Sequence, residues 1–98
     1  MTELAVQGVI ATLEASPKSI RCDELAKLLE DLGFDVRKGR QGGHRVFFHD
    51  DLSDFISGSY DCGHGKNPEI KPAYIRKVVR ILKEHETELT EILRSSGI

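Results

Sequence analysis

FDVRKGRQGGHRVFFH, Phe34 to His49, is the stretch that decides how this chain folds. FDVRKG and HRVFFH are short and carry β-branched or aromatic residues, and RQGG, Arg40 to Gly43, separates them. Two such runs joined by a glycine-containing turn read as a β-hairpin. Gly42 and Gly43 offer a positive φ and a close backbone approach that bulkier residues resist. Arg37, Lys38, Arg40 and Arg45 crowd the same turn, so a negatively charged group is its natural partner.

Helical periodicity flanks the hairpin. Val6, Val9, Ile10 and Leu13 recur at i, i+3, i+4, i+7 and predict a helix over residues 2–15. Pro17 disfavours helical backbone at Ser16 and ends it. Leu25, Leu28, Leu29 and Leu32 predict a second helix over 22–32, with Gly33 as its C′ residue and Phe34 folding back on the last turn. A third strand is expected within Leu52–Cys62, followed by a turn-rich loop, GHGKNPEIK. Pro72 suits the first turn of a last helix, whose buried face is Ile75, Val78, Val79 and Leu82. Residues 84–98 read as either a helical extension or a frayed tail.

Helix, helix, three strands, helix is an α+β order. The strands form an antiparallel meander most easily, with helices on one face. Three segments follow: an N-terminal helix extension (1–18), a central domain (19–83) and the C-terminal extension or tail (84–98). At 98 residues, 39% hydrophobic and 31% charged, the chain is sized for one core. A net charge of −2 points to no nucleic-acid partner globally, so that case rests on local patches. No apolar run reaches the roughly 18 residues of a membrane span. Glu3 and Glu14 stand where a signal peptide would be basic and then apolar. A cytoplasmic protein with Cys22 and Cys62 as reduced thiols is therefore expected. A zinc set of Cys22, Cys62, His44 and His64 is disfavoured, because Cys62 and His64 are one residue apart. No metal and no cofactor is expected.

The basic residues are segregated. Beyond the hairpin, Lys66 and Lys71 precede the last helix, and Arg76, Lys77, Arg80 and Lys83 lie along it. Asp50, Asp51, Asp54 and Asp61 surround the third strand instead. Such a distribution suits a phosphate backbone. His44, beside two glycine N–H groups and several cations, is placed to act as a general base, for which neutral imidazole is required. On RNA it would take the 2′-OH proton, and the 2′-oxygen would attack the adjacent phosphorus. A 2′,3′-cyclic phosphate and a 5′-hydroxyl would result without a metal.

LAKLLEDLGFDVRKGRQGGHRVFFH followed by GHGKNPEIKPAYIRKVVRILK resembles the HicA family of small toxins from bacterial and archaeal toxin–antitoxin systems. The likeness runs from about Ile20 to Lys83. It implies a double-stranded-RNA-binding-domain-like αβββα fold, here with an extra N-terminal helix. It also implies metal-independent mRNA cleavage (an mRNA interferase) and silencing by a HicB-like antitoxin. Through it His44 takes the catalytic position, Gly42 the glycine of the turn, and Phe47 and His49 the positions that follow. His64 falls where many members carry a histidine and is the possible partner of His44. Gly43 stands where serine is usual, and Arg45 where a second histidine often stands. His49 shares strand parity with Arg45 and Phe47 and receives no catalytic role, and His85 is a tail residue. The expected RNA-binding set is Arg37, Lys38, Arg40, Gly42, Gly43, Arg45, Lys66, Lys71, Arg76, Lys77, Arg80 and Lys83. A non-catalytic RNA-binding module and a protein-interaction domain are alternative readings of the same residues.

Overall fold

The structure is a computed structural model that describes residues 5–40 and 42–96. Its elements run α1 (Ala5–Ala15), α2 (Cys22–Asp31), β1 (Asp35–Lys38), β2 (His44–Phe48), β3 (Gly58–Asp61), α3 (Pro72–Glu84) and α4 (Glu86–Ser96). The expected α1 began at residue 2, and residues 2–4 lie outside the described part.

The sheet is an antiparallel meander in the order β1-β2-β3. Asp35 pairs with Phe48 and Lys38 with Arg45, while His44 pairs with Asp61 and Phe47 with Gly58. Side chains alternate across a strand, and burial assigns the faces. Phe47 and Tyr60 are fully buried against the helices, whereas Val46, Phe48 and Ser59 are half-buried on the opposite, uncovered face. The Phe47 ring lies directly over Gly58, where a Cβ would overlap it. Phe34 meets Phe47 edge-on at 5.6 Å and Phe55 stacks on it at 5.8 Å.

Helix α2 ends as its leucine period and Gly33 foretell. Gly33 N–H reaches Glu30 O at 2.9 Å and Phe34 N–H reaches Leu29 O at 3.1 Å, a Schellman arrangement with Gly33 at φ 92°. The third strand expected within Leu52–Cys62 is β3, at its C-terminal end; Leu52–Phe55 packs against the core without forming a strand, with Leu52 buried. Ser53 N–H and Oγ both donate to Glu88 of α4 at 3.1 Å.

Residues 84–98 take the helical alternative as far as they are described. His85 closes α3, packing edge-on to Phe55 at 5.5 Å, and α4 then turns back onto α1. Leu89 is fully buried, and Gln7 donates to Glu86 at 3.1 Å. The apolar stripe of α1 is thereby covered by α3 and α4. One continuous core runs from Val6 through Phe47 to Leu89.

The expectation of two free thiols is corrected. Cys22 and Cys62 form a disulfide, with Cα atoms 5.4 Å apart across 40 residues of sequence. Cys22 opens α2 and Cys62 follows β3. The backbone joins these places independently: Cys22 N–H donates to Pro68 O at 2.9 Å and Ile70 N–H to Ile20 O at 2.8 Å. Asn67, at φ 49°, caps α2 from outside by accepting Asp23 N–H at 2.8 Å.

Tyr60 has a distinctive alkaline signature. Burial pushes its phenol up to about 12, with Arg45 pulling the other way. Between pH 10 and 12 the unfolded chain therefore holds fewer protons than the folded one, so stability falls as pH rises through that window. Two units correspond to about 3 kcal/mol in the limit. The Tyr60 hydroxyl has no hydrogen-bond partner among the described residues, so Tyr60→Phe leaves stability at pH 7 unchanged or raised. Thermal melts of both proteins from pH 8 to 12 test this. Equal alkaline losses in the two would refute it.

Candidate functional site

Two glycines touch where the β1–β2 turn meets the loop after β3. Gly42 takes φ 44°, carrying the chain around the turn, and Gly43 then packs on the backbone of Gly63. A Cβ on Gly43 would overlap Gly63 N and O and lie 2.9 Å from Asp61 Oδ1. His44 follows the first of these glycines and His64 the second, so the contact sets the backbone leading into one histidine against the backbone leading into the other. Asp61 Oδ1 accepts Gly63 N–H at 2.8 Å and holds the second strand of this junction.

A concavity of about 600 Å³ opens here, lined by Gly42, Gly43, Asp61, Gly63, His64, Lys71 and Tyr74 among others. His44 stands beside it rather than in its lining. Its ring lies on the uncovered sheet face above Gly39, where a Cβ would overlap Cδ2 and sit 3.1 Å from Cγ. Loop and turn are held to α2 by the disulfide and the Asn67 and Pro68 hydrogen bonds. His64 is exposed. His49, by contrast, is buried: Nε2 donates to Leu32 O and Nδ1 accepts Asp51 N–H, both at 3.2 Å. It fastens the end of β2 to the end of α2.

The expected cations divide into two groups. Lys38, Arg40, Lys66 and Lys71 are exposed around the turn and loop. Arg37 is engaged by Asp35 at 3.2 Å and lies 5.5 Å above the Phe48 ring. An exposed ion pair of this kind is weak, so Arg37 remains exchangeable with a phosphate. Arg45 is half-buried on the helix side, where Nη1 donates to the carbonyl oxygens of Gly42 and His44 at 3.4 and 3.2 Å. It braces the turn.

Arg76, Lys77, Arg80 and Lys83 follow along α3. Arg76, Arg80 and Lys83 line a separate groove with Leu13, Glu14 and Pro17 of the α1 region. Lys83 is paired to Glu14 at 2.8 Å. Sequence reading expected all these cations on one RNA-binding surface; in the structure Arg76, Arg80 and Lys83 share their groove with residues of the α1 region. That reading passed over Asp61, which lies on a strand otherwise marked only by loose alternation.

The Gly43–Gly63 contact leaves no room for a side chain at position 43. Gly43→Ser is expected to lower stability by about 1–3 kcal/mol through overpacking, measured by urea denaturation. A variant as stable as wild type would overturn the contact.

The fold and site together define an α+β protein with a three-stranded antiparallel meander, helices on one face, and a glycine-walled cleft lined by His64 and Lys71 beside Asp61 and Glu69. No family description, curated protein or solved structure matches the chain. No described helix is long and apolar enough to cross a membrane. Among the described residues, no three His, Cys, Asp or Glu side chains converge as a metal site, and both cysteines are committed to the disulfide.

Proposed function

We propose that this chain is a metal-independent endoribonuclease of the HicA toxin kind, acting on mRNA in the cytoplasm and held silent by a HicB-like antitoxin. The observation that carries the reading is the Gly43–Gly63 contact. It joins the turn that leads into His44 to the loop that leads into His64, beside a concave surface lined by His64 and Lys71. The α+β meander with helices on one face accommodates a double-stranded-RNA-binding-domain-like fold, and the resemblance of Ile20–Lys83 to HicA toxins supplies the rest.

In this mechanism His44 Nε2 accepts the 2′-OH proton as the 2′-oxygen attacks phosphorus. The P–O5′ bond breaks, and His64 delivers a proton to the departing 5′-oxygen. Lys71 and the N–H groups of the glycine turn face the developing negative charge on the phosphoryl oxygens. The products are a 2′,3′-cyclic phosphate and a 5′-hydroxyl. Lys38, Arg40 and Lys66 hold the flanking phosphates, so affinity falls with salt as counterions return.

In the cytoplasm the glutathione pool favours dithiols. The Cys22–Pro68 and Ile70–Ile20 hydrogen bonds then hold the loop without the covalent link. A deoxy-substituted oligonucleotide tests the chemistry. With EDTA present, an all-RNA strand is expected to yield 2′,3′-cyclic phosphate ends, and a strand with 2′-deoxy sugars throughout is expected to remain whole. Cleavage of the deoxy strand, or 3′-hydroxyl products, would exclude the mechanism. Salt-sensitive binding of RNA with no cleavage would make the chain a binding module instead.

A further inference from the structure

We infer that Asp61 is the positioning residue for His44, holding its imidazole with the proton on Nδ1 so that Nε2 faces the substrate. The inference rests on the reading of His44 as the base. Three observations on the sheet converge on it.

The first is register. His44 lies opposite Asp61. Cys62 N–H donates to Gly43 O at 2.8 Å, which makes Gly43 and Cys62 a hydrogen-bonded pair. The next pair, His44 and Asp61, is then non-hydrogen-bonded, the kind in which facing side chains come closest, about 4.5–5.5 Å between Cβ atoms. Both point to the face without helices.

The second is the direction of the ring. On its β1 side His44 presents Cδ2 to Gly39, whose missing Cβ makes room for it. Nδ1 is on the other edge of the ring, so it is turned away from β1, towards the β3 side on which Asp61 stands. Nε2 lies at the tip.

The third is that the Asp61 carboxylate is already oriented. Oδ1 receives Gly63 N–H at 2.8 Å and touches the place where a Gly43 side chain would be. Oδ2 makes no hydrogen bond among the described residues and is available to Nδ1–H. His44 and Asp61 form no direct hydrogen bond in this structure, and the inferred one follows from rotation of the Asp61 side chain towards Nδ1–H.

A carboxylate on Nδ1–H does two things for a base. It selects the tautomer whose Nε2 lone pair is free, and it stabilises the imidazolium that forms once the 2′-OH proton has moved. Because the same carboxylate also holds the Gly63–His64 segment, one residue sets the placement of both histidines. Asp61 touches no reacting atom in this scheme.

The tautomer is directly measurable by long-range ¹H–¹⁵N correlation on the full chain with labelled histidine, assigned with His44→Gln. Wild-type His44 is expected to show a protonated Nδ1 and an unprotonated Nε2. Asp61→Asn, which keeps an oxygen for Gly63 N–H, is expected to shift His44 towards the Nε2–H form. It is also expected to lower kcat on the order of 10²-fold with KM little changed. Predominant Nε2–H in wild-type His44 would overturn the assignment, as would a tautomer indifferent to Asp61→Asn. Should that variant unfold, the wild-type tautomer decides alone. A chain that cleaves no RNA but shows the Asp61-dependent tautomer would defeat the proposed function and leave this pairing standing.

Discussion

His44→Ala is expected to reduce the proposed RNA cleavage by about 10²–10⁴-fold, the usual contribution of a positioned general base, while the protein stays folded. The expectation of intact folding follows from where the residue sits. His44 is half-buried on the uncovered face of the sheet, and its ring covers Gly39 without reaching the core. Removing it takes no side chain from the Phe34–Phe47–Phe55 cluster. RNA affinity is also expected to persist, because Lys38, Arg40, Lys66 and Lys71 are untouched. The measurement is single-turnover cleavage beside equilibrium binding at fixed salt, with circular dichroism on both proteins. Cleavage by a folded His44→Ala protein at the wild-type rate would eliminate His44 as the base. Lys83→Ala is a useful contrast: its partner Glu14 belongs to α1, so cleavage at the turn should be unaffected.

Opening the Cys22–Cys62 bond is the largest expected change in stability. The disulfide closes a loop spanning 40 residues, and the chain-entropy relation assigns such a crosslink about 4 kcal/mol through the unfolded state. For a domain of this size that is well over 10 °C in Tm. Thermal melts with and without dithiothreitol, and of the Cys22→Ala/Cys62→Ala protein, report it. Because Pro68, Asn67 and Ile70 bond to the same region of α2, the reduced protein is expected to keep its fold and its cleft at room temperature. A reduced protein melting within two degrees of the oxidised one would mean that these hydrogen bonds, rather than the crosslink, set the stability of the loop.

The leucine period of α2, the glycine that stops it, the proline that starts α3 and the hairpin around Gly42 all appear in the structure where local chemistry puts them. Each depends on residues within a turn or two of one another. The third strand was located only to within Leu52–Cys62, because DFIS carries apolar residues that serve the core from a loop as well as from a strand. Phe55 takes the first course, stacking on Phe47 at 5.8 Å. His44 and His64 were visible as chemistry, but their neighbourhood was not. A glycine beside each makes the junction possible, and nothing in the sequence says that those two glycines touch.

Sequence alone sufficed for α1 to α3, the meander and the concentration of cations at one turn, since helical period, strand alternation and turn preference act over short stretches. Tertiary structure decided three further matters: the joining of Cys22 to Cys62, the pairing of Lys83 with Glu14 of α1, and the placing of Asp61 opposite His44. Each depends on residues brought together across tens of positions. Such contacts are selected by the packing of the whole core, to which no short window of residues has access.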